Sequence, residues 1–333
     1  MLRMAVVTRA ETFERLREPL ADRGIEIAHV RADERTLALD DPGGRGAAGR
    51  GPGPDSGFGS DPDPGSDPDP GSDDDGGEGG GGHGEFDGFD VGFVYPSRAM
   101  EGGVADALLG VPWVNGREAV LRSRNKAGVL ARLARADVSV PRTTMVSNPV
   151  DDDAVAGALA RFDYPVVVKP NSTTRGIGVT TARDLDSVLG VTDYLDLVHD
   201  YRATGDRSYL LQEYLPDARD YRAMIVDGTY AGAVERRLTD DARAEGRWKH
   251  NVHRGAEAAG VDLPDEHRRL AERVADVLGI DWLGVDLLET DDRLVVSETN
   301  ARPTVDAATK YADGFYDRLA ALIRRTAEDV DAG

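Results

Sequence analysis

Residues 166–179 read VVVKPNSTTRGIGV. A strand-like valine run ends at Lys169, and a loop bearing hydroxyls, an amide and two glycines follows, from Asn171 to Gly178. The chain holds 40 Lys and Arg, of which only Lys126, Lys169, Lys249 and Lys310 are lysine. A lysine kept here has a physical use. Backbone N–H groups of such a loop can point at phosphate oxygens, and glycine lets the backbone approach closely. Lysine adds a compact point charge on a flexible stem. Taken alone, the stretch fits an ordinary hairpin with a glycine turn equally well, because glycine-rich loops are common. A Walker loop is excluded, since it needs its lysine after the glycines. A protein kinase is excluded by the lack of catalytic-loop and D-F-G signatures.

Composition bounds the rest. A chain of 333 residues has room for two or three domains and a large core. It has no cysteine, which rules out disulfides, thiolate zinc sites and a cysteine nucleophile and suits a reducing, cytoplasmic setting. The start, MLRMAVVTRA, lacks the pattern of a signal peptide. No apolar run approaches the ~20 residues of a membrane helix, so no membrane partner is expected. A formal net charge of −21 repels nucleic-acid backbones and argues against that partner too. Much of the charge is local: residues 40–90 hold 14 Asp or Glu and two Arg. Scarce lysine, abundant arginine and surface acid resemble a salt-adapted, haloarchaeal-like composition.

The pattern along the chain reads as mixed α/β. MAVVT (4–8) and IEIAHV (25–30) are strand-like and flank a helical stretch, 11–24, with Phe13, Leu16 and Leu20 on one side and Gly24 as its stop. A strand–helix–strand unit predicts a parallel sheet. Residues 40–84, rich in Asp, Pro, Gly and Ser, cannot bury enough apolar surface to order themselves and read as a disordered acidic insertion. Its aspartates lack the spacing of a calcium loop. The ordered pattern resumes with FDVGFVYP (89–96), and residues 116–137 read as one helix. From 165 onward strands dominate, ending in the strand pair 281–289 and 293–300 after an amphipathic helix at 265–279, and residues 315–325 close the chain as a helix.

Two further constellations carry chemistry. Asp286 sits in GVDLL, while Glu298 and Asn300 are two apart in SETN and so share a strand face. Hard oxygen ligands on adjacent strands suit Mg²⁺ or Mn²⁺ bridging nucleotide phosphates; singly, each also fits a polar residue paired with arginine. The segment WKHNVHRGA (248–256) is basic in an acidic chain and offers Lys249, Asn251, His253 and Arg254 to anions. A two-histidine metal site there, or a solvated basic loop, are its other readings.

In order, the chain shows Lys126, VVVKP, T-x-G-I-G-V, LQEYL, D-Y-R, AVERR, N-V-H-R-G, GVDLL and E-T-N. This series resembles the ATP-grasp superfamily, and within it the RimK-type glutamate ligases, from about Asn115 to Asn300. The resemblance implies an ATP-grasp domain at 116–330, divided into a central and lid part, 116–210, and a C-terminal part, 211–330, behind a Rossmann-like pre-ATP-grasp domain at 1–115 that carries the insertion. It implies that Lys126 and Lys169 hold the α- and β-phosphates and that Ser172, Thr173, Thr174, Gly176 and Gly178 belong to the lid over the γ-phosphate. By the same likeness Glu213 and Tyr214 receive adenine, and Asp220 lies beside the nucleotide. Lys249, His250 and Asn251 fall on a nucleotide-contacting segment, Arg222 lies near the transferring phosphate, and Arg254 faces the acyl phosphate. Asp286, Glu298 and Asn300 match the metal ligands.

The implied reaction is ATP-dependent joining of an amine to a carboxylate through an acyl phosphate, releasing ADP. The expected partners are an amino acid such as L-glutamate and a carboxylate on a protein, cofactor or carrier. A lysine- or arginine-biosynthetic carrier-protein ligase, a glutathione-synthase-like ligase and a non-catalytic ATP-binding sensor are alternatives. A further alternative makes the acidic insertion itself the functional element. Many such enzymes are dimers or tetramers, so a homo-oligomer is compatible with the likeness. Three departures bear on substrate. NARPTVDAATKY (300–311) replaces the usual small residue, Pro and Gly after the metal asparagine. That run brings Arg302 and Lys310 forward as candidates for a second carboxylate. Ala256 stands in place of a glycine after Arg254, and Lys249 where arginine is usual.

Overall fold

The computed structural model describes residues 1–7, 10–37, 39, 85–173, 176–198, 206–244, 246–248, 256–305 and 310–328. The acidic insertion expected at 40–84 lies outside the described residues.

The N-terminal elements are β1 (Leu2–Val6), α1 (Ala10–Ala21), β2 (Ile25–His29), β3 (Val91–Phe93), α2 (Ala99–Leu109) and β4 (Trp113–Val114). Their strands form one sheet in the order β2-β1-β3-β4, every pair parallel, as the strand–helix–strand pattern predicts. Leu16 and Leu20 of α1 are fully buried, and Gly24 turns the chain with φ +72°, which costs glycine no steric strain.

Next come α3 (Arg117–Arg124) and α4 (Lys126–Arg135), where the sequence predicts a single helix. The break is Asn125, whose backbone leaves the helical region (φ −77°, ψ 86°) and whose Oδ1 accepts the Gly128 N–H at 3.0 Å. This is an N-cap, and asparagine is among the residues best suited to it. Asn171 locks the cap from outside: its Oδ1 accepts the Ala127 N–H at 2.8 Å and its Nδ2 donates to Asn125 Oδ1 at 3.1 Å. The break makes Lys126 the first residue of α4 and brings it against the loop quoted at the outset.

The middle lobe holds β5 (Thr143–Ser147), α5 (Asp152–Leu159), β6 (Val166–Pro170), β7 (Thr180–Ala182), α6 (Leu185–Val198) and β8 (Ser208–Glu213). Its antiparallel sheet runs β5-β8-β6-β7, so the expected division at 210/211 falls inside β8. The strand-dominated reading of this region missed α6, whose β-branched and apolar residues imitate a strand. Val188 and Leu195 show helical spacing and both enter the lobe's core.

The C-terminal elements are β9 (Arg219–Val226), β10 (Thr229–Leu238), α7 (Asp240–Ala244), β11 (Ala256–Val261), α8 (Asp265–Leu278), β12 (Trp282–Glu289), β13 (Leu294–Asn300) and α9 (Phe315–Glu328). The five-stranded antiparallel sheet runs β11-β10-β9-β12-β13. The expected strand pair is β12–β13, in register from Gly284↔Asn300 to Glu289↔Leu294. Helix α7 and the alanine-rich edge strand β11 were not anticipated.

Two main cores result. One joins the N-terminal and C-terminal sheets, with Trp282 between Phe93 (5.7 Å, ring centroids) and Phe315 (5.9 Å). The other lies within the middle lobe, around Val166, Val168 and Leu211. Asn115 pins the first junction. It is buried, has φ +57°, and donates from Nδ2 to the Trp282 and Ala301 carbonyls. Asn115→Ala should cost about 2–4 kcal/mol, from two buried acceptors losing a donor and from alanine in a left-handed conformation. Asn115→Gly, which keeps the backbone geometry, should cost less. Thermal unfolding of the two variants separates these contributions, and equal midpoints would remove the strain term.

Candidate functional site

A cleft of about 1160 Å³ opens where the three sheets meet. Val7, Val30 and Pro96 follow β1, β2 and β3 and line it, so the parallel sheet presents its carboxyl edge, the usual ligand-facing edge of such sheets. Lys169 and Gln212 come from the middle lobe, and Arg222 and Asp286 from the C-terminal sheet.

The two lysines of the sequence reading meet here, both with side chains almost wholly buried. Lys126 Nζ donates to the Asn171 carbonyl at 3.3 Å and to the Thr173 carbonyl, and lies 3.5 Å from Glu298 Oε1. Lys169 Nζ reaches the Ser297 carbonyl at 3.5 Å. Burial is the chief reason that the Lys169 ammonium falls to about 8; Glu298 opposes the fall, Lys126 adds to it and Asp286 opposes it. A buried ammonium in this setting can take an anion. The loop after Lys169 is closed by Thr173 Oγ1 donating to the Ile177 carbonyl at 2.9 Å. At Gly178, with φ +73°, a Cβ would come within 2.7 Å of Pro170 Cγ, so only glycine fits. Gly176 also has positive φ and lines the cleft with Thr173; Ser172 and Gly178 are not among its lining residues.

The acidic half is set by register. Asp286 pairs across the sheet with Arg222 on β9 and with Glu298 on β13, and Asp220 pairs with Arg236 on β10. Residues two apart on a strand share a face, so all five side chains project on one side. Arg222 holds Asp286 with a two-pronged contact, Nε to Oδ1 at 2.7 Å and Nη2 to Oδ2 at 2.8 Å. Arg236 Nη2 lies 3.1 Å from Asp286 Oδ2 and also binds Asp220. Burial pushes the Asp286 carboxyl up, but the Arg222 and Arg236 guanidiniums outweigh it and hold the group well below the usual carboxylate range. Arg236 is the residue the sequence reading left without a role. Its signal was the period-2 pattern of AVERR, which places Val234 and Arg236 on the face that carries Arg222.

Asp286, Glu298 and Asn300 lie at the same end of β12 and β13. Among the described residues no group of three His, Cys, Asp or Glu is placed to hold a metal ion. Asn300 Oδ1 accepts the Arg302 N–H at 2.9 Å. Two carboxylates and an amide, with Asp286 already shared by two arginines, fit a hard divalent cation whose remaining ligands are phosphate oxygens and water; they do not make a standing all-protein cage.

At the other end of the cleft Tyr214 meets Trp248 edge to face, ring centroids 5.8 Å apart. Both line the cleft. The Glu213 carboxylate is already engaged: Oε1 accepts the Arg142 backbone N–H at 2.6 Å and lies 2.6 Å from Arg293 Nη2. Burial raises this group, and the contacts from Arg142 and Arg293 outweigh burial and keep it ionised. Its side chain is therefore already committed, and its main-chain N–H donates to the Arg142 carbonyl at 3.0 Å. Arg302 lines the cleft and Lys310 is not among the lining residues. Thr174, Lys249, His250, Asn251 and Arg254 lie outside the described residues. No described helix is long and apolar enough to cross a membrane.

This chain matches a model of the RimK-like ATP-grasp domain over residues 123–317. It is 31% identical over 223 residues to a probable alpha-L-glutamate ligase of Klebsiella pneumoniae, covering 66% of this chain and 70% of that one. It is 31% identical over 209 residues to the ribosomal protein bS6–L-glutamate ligase of Escherichia coli, covering 61% and 64%. Among solved structures, a RimK domain ATP-grasp protein from Sphaerobacter thermophilus superposes with a TM-score of 0.59 at 21% identity, covering 97% of this chain and 99% of that one. A D-alanine–D-alanine ligase from Bacillus anthracis superposes with a TM-score of 0.62 at 15% identity, covering both chains completely. The matched segment contains the lysine pair, the glycine loop and the Arg–Asp cluster, and the chain belongs to the RimK-like ATP-grasp family.

Proposed function

We propose that the protein is an ATP-dependent, ADP-forming carboxylate–amine ligase that joins an amino acid, L-glutamate first among candidates, to a carboxylate on a protein, cofactor or carrier. ATP-grasp ligases use ATP with Mg²⁺, and the named relatives are ligases for L-glutamate. The observation that carries the reading is one cleft holding two buried lysines at one wall and Asp286 clasped by Arg222 and Arg236 at the other. Its volume exceeds what one small ligand needs, leaving room for nucleotide and a second substrate together.

In this reading Lys126 and Lys169 neutralise phosphate oxygens, and the Thr173–Gly178 loop folds over them. Tyr214 and Trp248 offer faces to adenine. The substrate carboxylate attacks the γ-phosphorus, giving an acyl phosphate and ADP. The amine then attacks the acyl carbon, releasing phosphate and leaving an amide. Arg222 and Arg236 stay beside the phosphoryl group through the first step, where fixed charge counts most in a site shielded from water. Arg254 would serve the oxyanion of the second. Asp286, Glu298 and Asn300 would hold Mg²⁺, which when bound neutralises charge on the β- and γ-oxygens.

ADP release from Mg-ATP in high-salt buffer, against a panel of amino acids with and without carboxylate acceptors, tests this directly. ADP should appear only when amine and carboxylate are both present; ATP binding with no substrate-dependent turnover would leave a sensor instead. Asp286→Asn combined with Glu298→Gln should lower that turnover by about a hundredfold or more, as expected when the cation that neutralises phosphate charge is no longer held, with the fold intact by circular dichroism. Unchanged turnover would remove the metal assignment. The Lys169 ammonium is charged below about pH 8 and neutral above it, so affinity for ATP should be highest below that value. Raising the pH from 7.5 to 9 should weaken binding by up to about tenfold, the linkage expected of one such group. Lys169→Arg should flatten this slope in calorimetric titrations, and an equally steep slope would assign the titration elsewhere.

A further inference from the structure

The cleft is basic in an acidic protein. Eleven Lys or Arg line it against eight Asp or Glu, while the chain as a whole carries −21. Such a cleft draws anions in by its field. Most of its cations are already matched: Arg222 and Arg236 by Asp286 and Asp220, Lys126 by Glu298, Arg98 by Glu34. Among the described residues Arg124 forms no ion pair and donates from Nη2 only to the Ser97 carbonyl, at 2.8 Å.

The placement of Arg124 is fixed by its neighbour. Ser123 Oγ accepts the Ala301 N–H at 3.0 Å and meets Thr299 Oγ1 at 3.1 Å, both contacts buried. The C-terminal end of α3 is thereby pinned to the end of β13, one residue past Asn300 and beside Arg302. Arg124 then reaches across to the 96–98 loop that follows β3. It lines the cleft together with Ser97 of that loop. A guanidinium anchored by one nitrogen to a carbonyl keeps the rest of its planar fork for a two-pronged contact with a carboxylate.

We propose that Arg124, oriented by the Ser97 carbonyl, binds a carboxylate of the substrate other than the one that is activated. The substrates then include a molecule with at least two carboxylates, or an acidic peptide segment. The proposal rests on the ligase reading above. Arg124 is a specificity residue in this scheme and takes no part in nucleotide binding.

Calorimetric titration of the full chain tests it in two stages. The first measures a non-hydrolysable ATP analogue with Mg²⁺. The second titrates the loaded protein with L-glutamate, tetraglutamate, L-glutamine and tetraglutamine. Expected is binding of at least one anionic probe with its neutral counterpart at least tenfold weaker. Arg124→Gln should lose tenfold or more toward the anionic probe with analogue affinity unchanged, and Arg124→Lys should recover part of the loss. Binding of the anionic probes by Arg124→Gln as tightly as by wild type, or no preference for the anionic probes in wild type, overturns the Arg124 assignment while leaving nucleotide binding standing. Failure of the wild-type chain to bind the analogue overturns the ligase reading and this inference with it.

Discussion

A carboxylate buried on the face of a sheet must be compensated, and the site is organised around that requirement. Asp286 is 5% exposed. Leaving such a charge unpaired would cost several kcal/mol. The antiparallel register of β9, β10 and β12 supplies Arg222 and Arg236 on the same face, and Asp220 in turn balances Arg236. Alternation sends Tyr221, Glu235 and Glu289 to the opposite face, where Tyr221 donates to Glu289 at 2.9 Å and Arg219 meets Glu235. One strand pairing therefore builds two separate polar networks. The Asp286 network is held by its own ion pairs to Arg222 and Arg236, with Asp220 on Arg236.

The cationic wall follows a different rule. Lys169 is carried by β6 in the middle lobe, which has its own core, whereas Val285 and Leu287, on either side of Asp286, belong to the core shared by the outer sheets. Lys169 reaches across the cleft to the Ser297 carbonyl, whereas Lys126 begins α4, whose Val129 and Leu133 pack in the core of the outer sheets. Lobes with separate cores can change their spacing without disturbing either interior, and a cleft between them can close on a ligand at little packing cost. Asn125 and Asn171 join α4 to the middle lobe, and their paired amides set where Lys126 begins α4.

The parallel N-terminal sheet contributes its carboxyl edge and little chemistry of its own. Its loops line the cleft, and Asn115 and Trp282 fasten it to the C-terminal sheet. This division of labour matches the placement of Arg124, which belongs to the matched family segment but is oriented by a carbonyl of the N-terminal loop.

Much of this was written in the chain itself. Local order determined the parallel first sheet, the valine strand ending at Lys169, the glycine loop and the β12–β13 pair, because each depends on periodicity or on a glycine that only one backbone conformation explains. Two-residue spacing was enough to place Glu298 and Asn300 together. What sequence could not decide was anything set by long-range contact. The break at Asn125 depends on Asn171, 46 residues away. The commitment of the Glu213 carboxylate to Arg142 and Arg293, and the capture of Asp286 by Arg222 and Arg236, depend on strand register, which no local pattern states. Helix α6 was hidden by β-branched residues whose preference the middle core overrides. Residue type and spacing determined which chemistry the chain can perform. Tertiary structure decided which charges are already compensated, because compensation depends on distance in space, and that distance exists only once the sheets have paired.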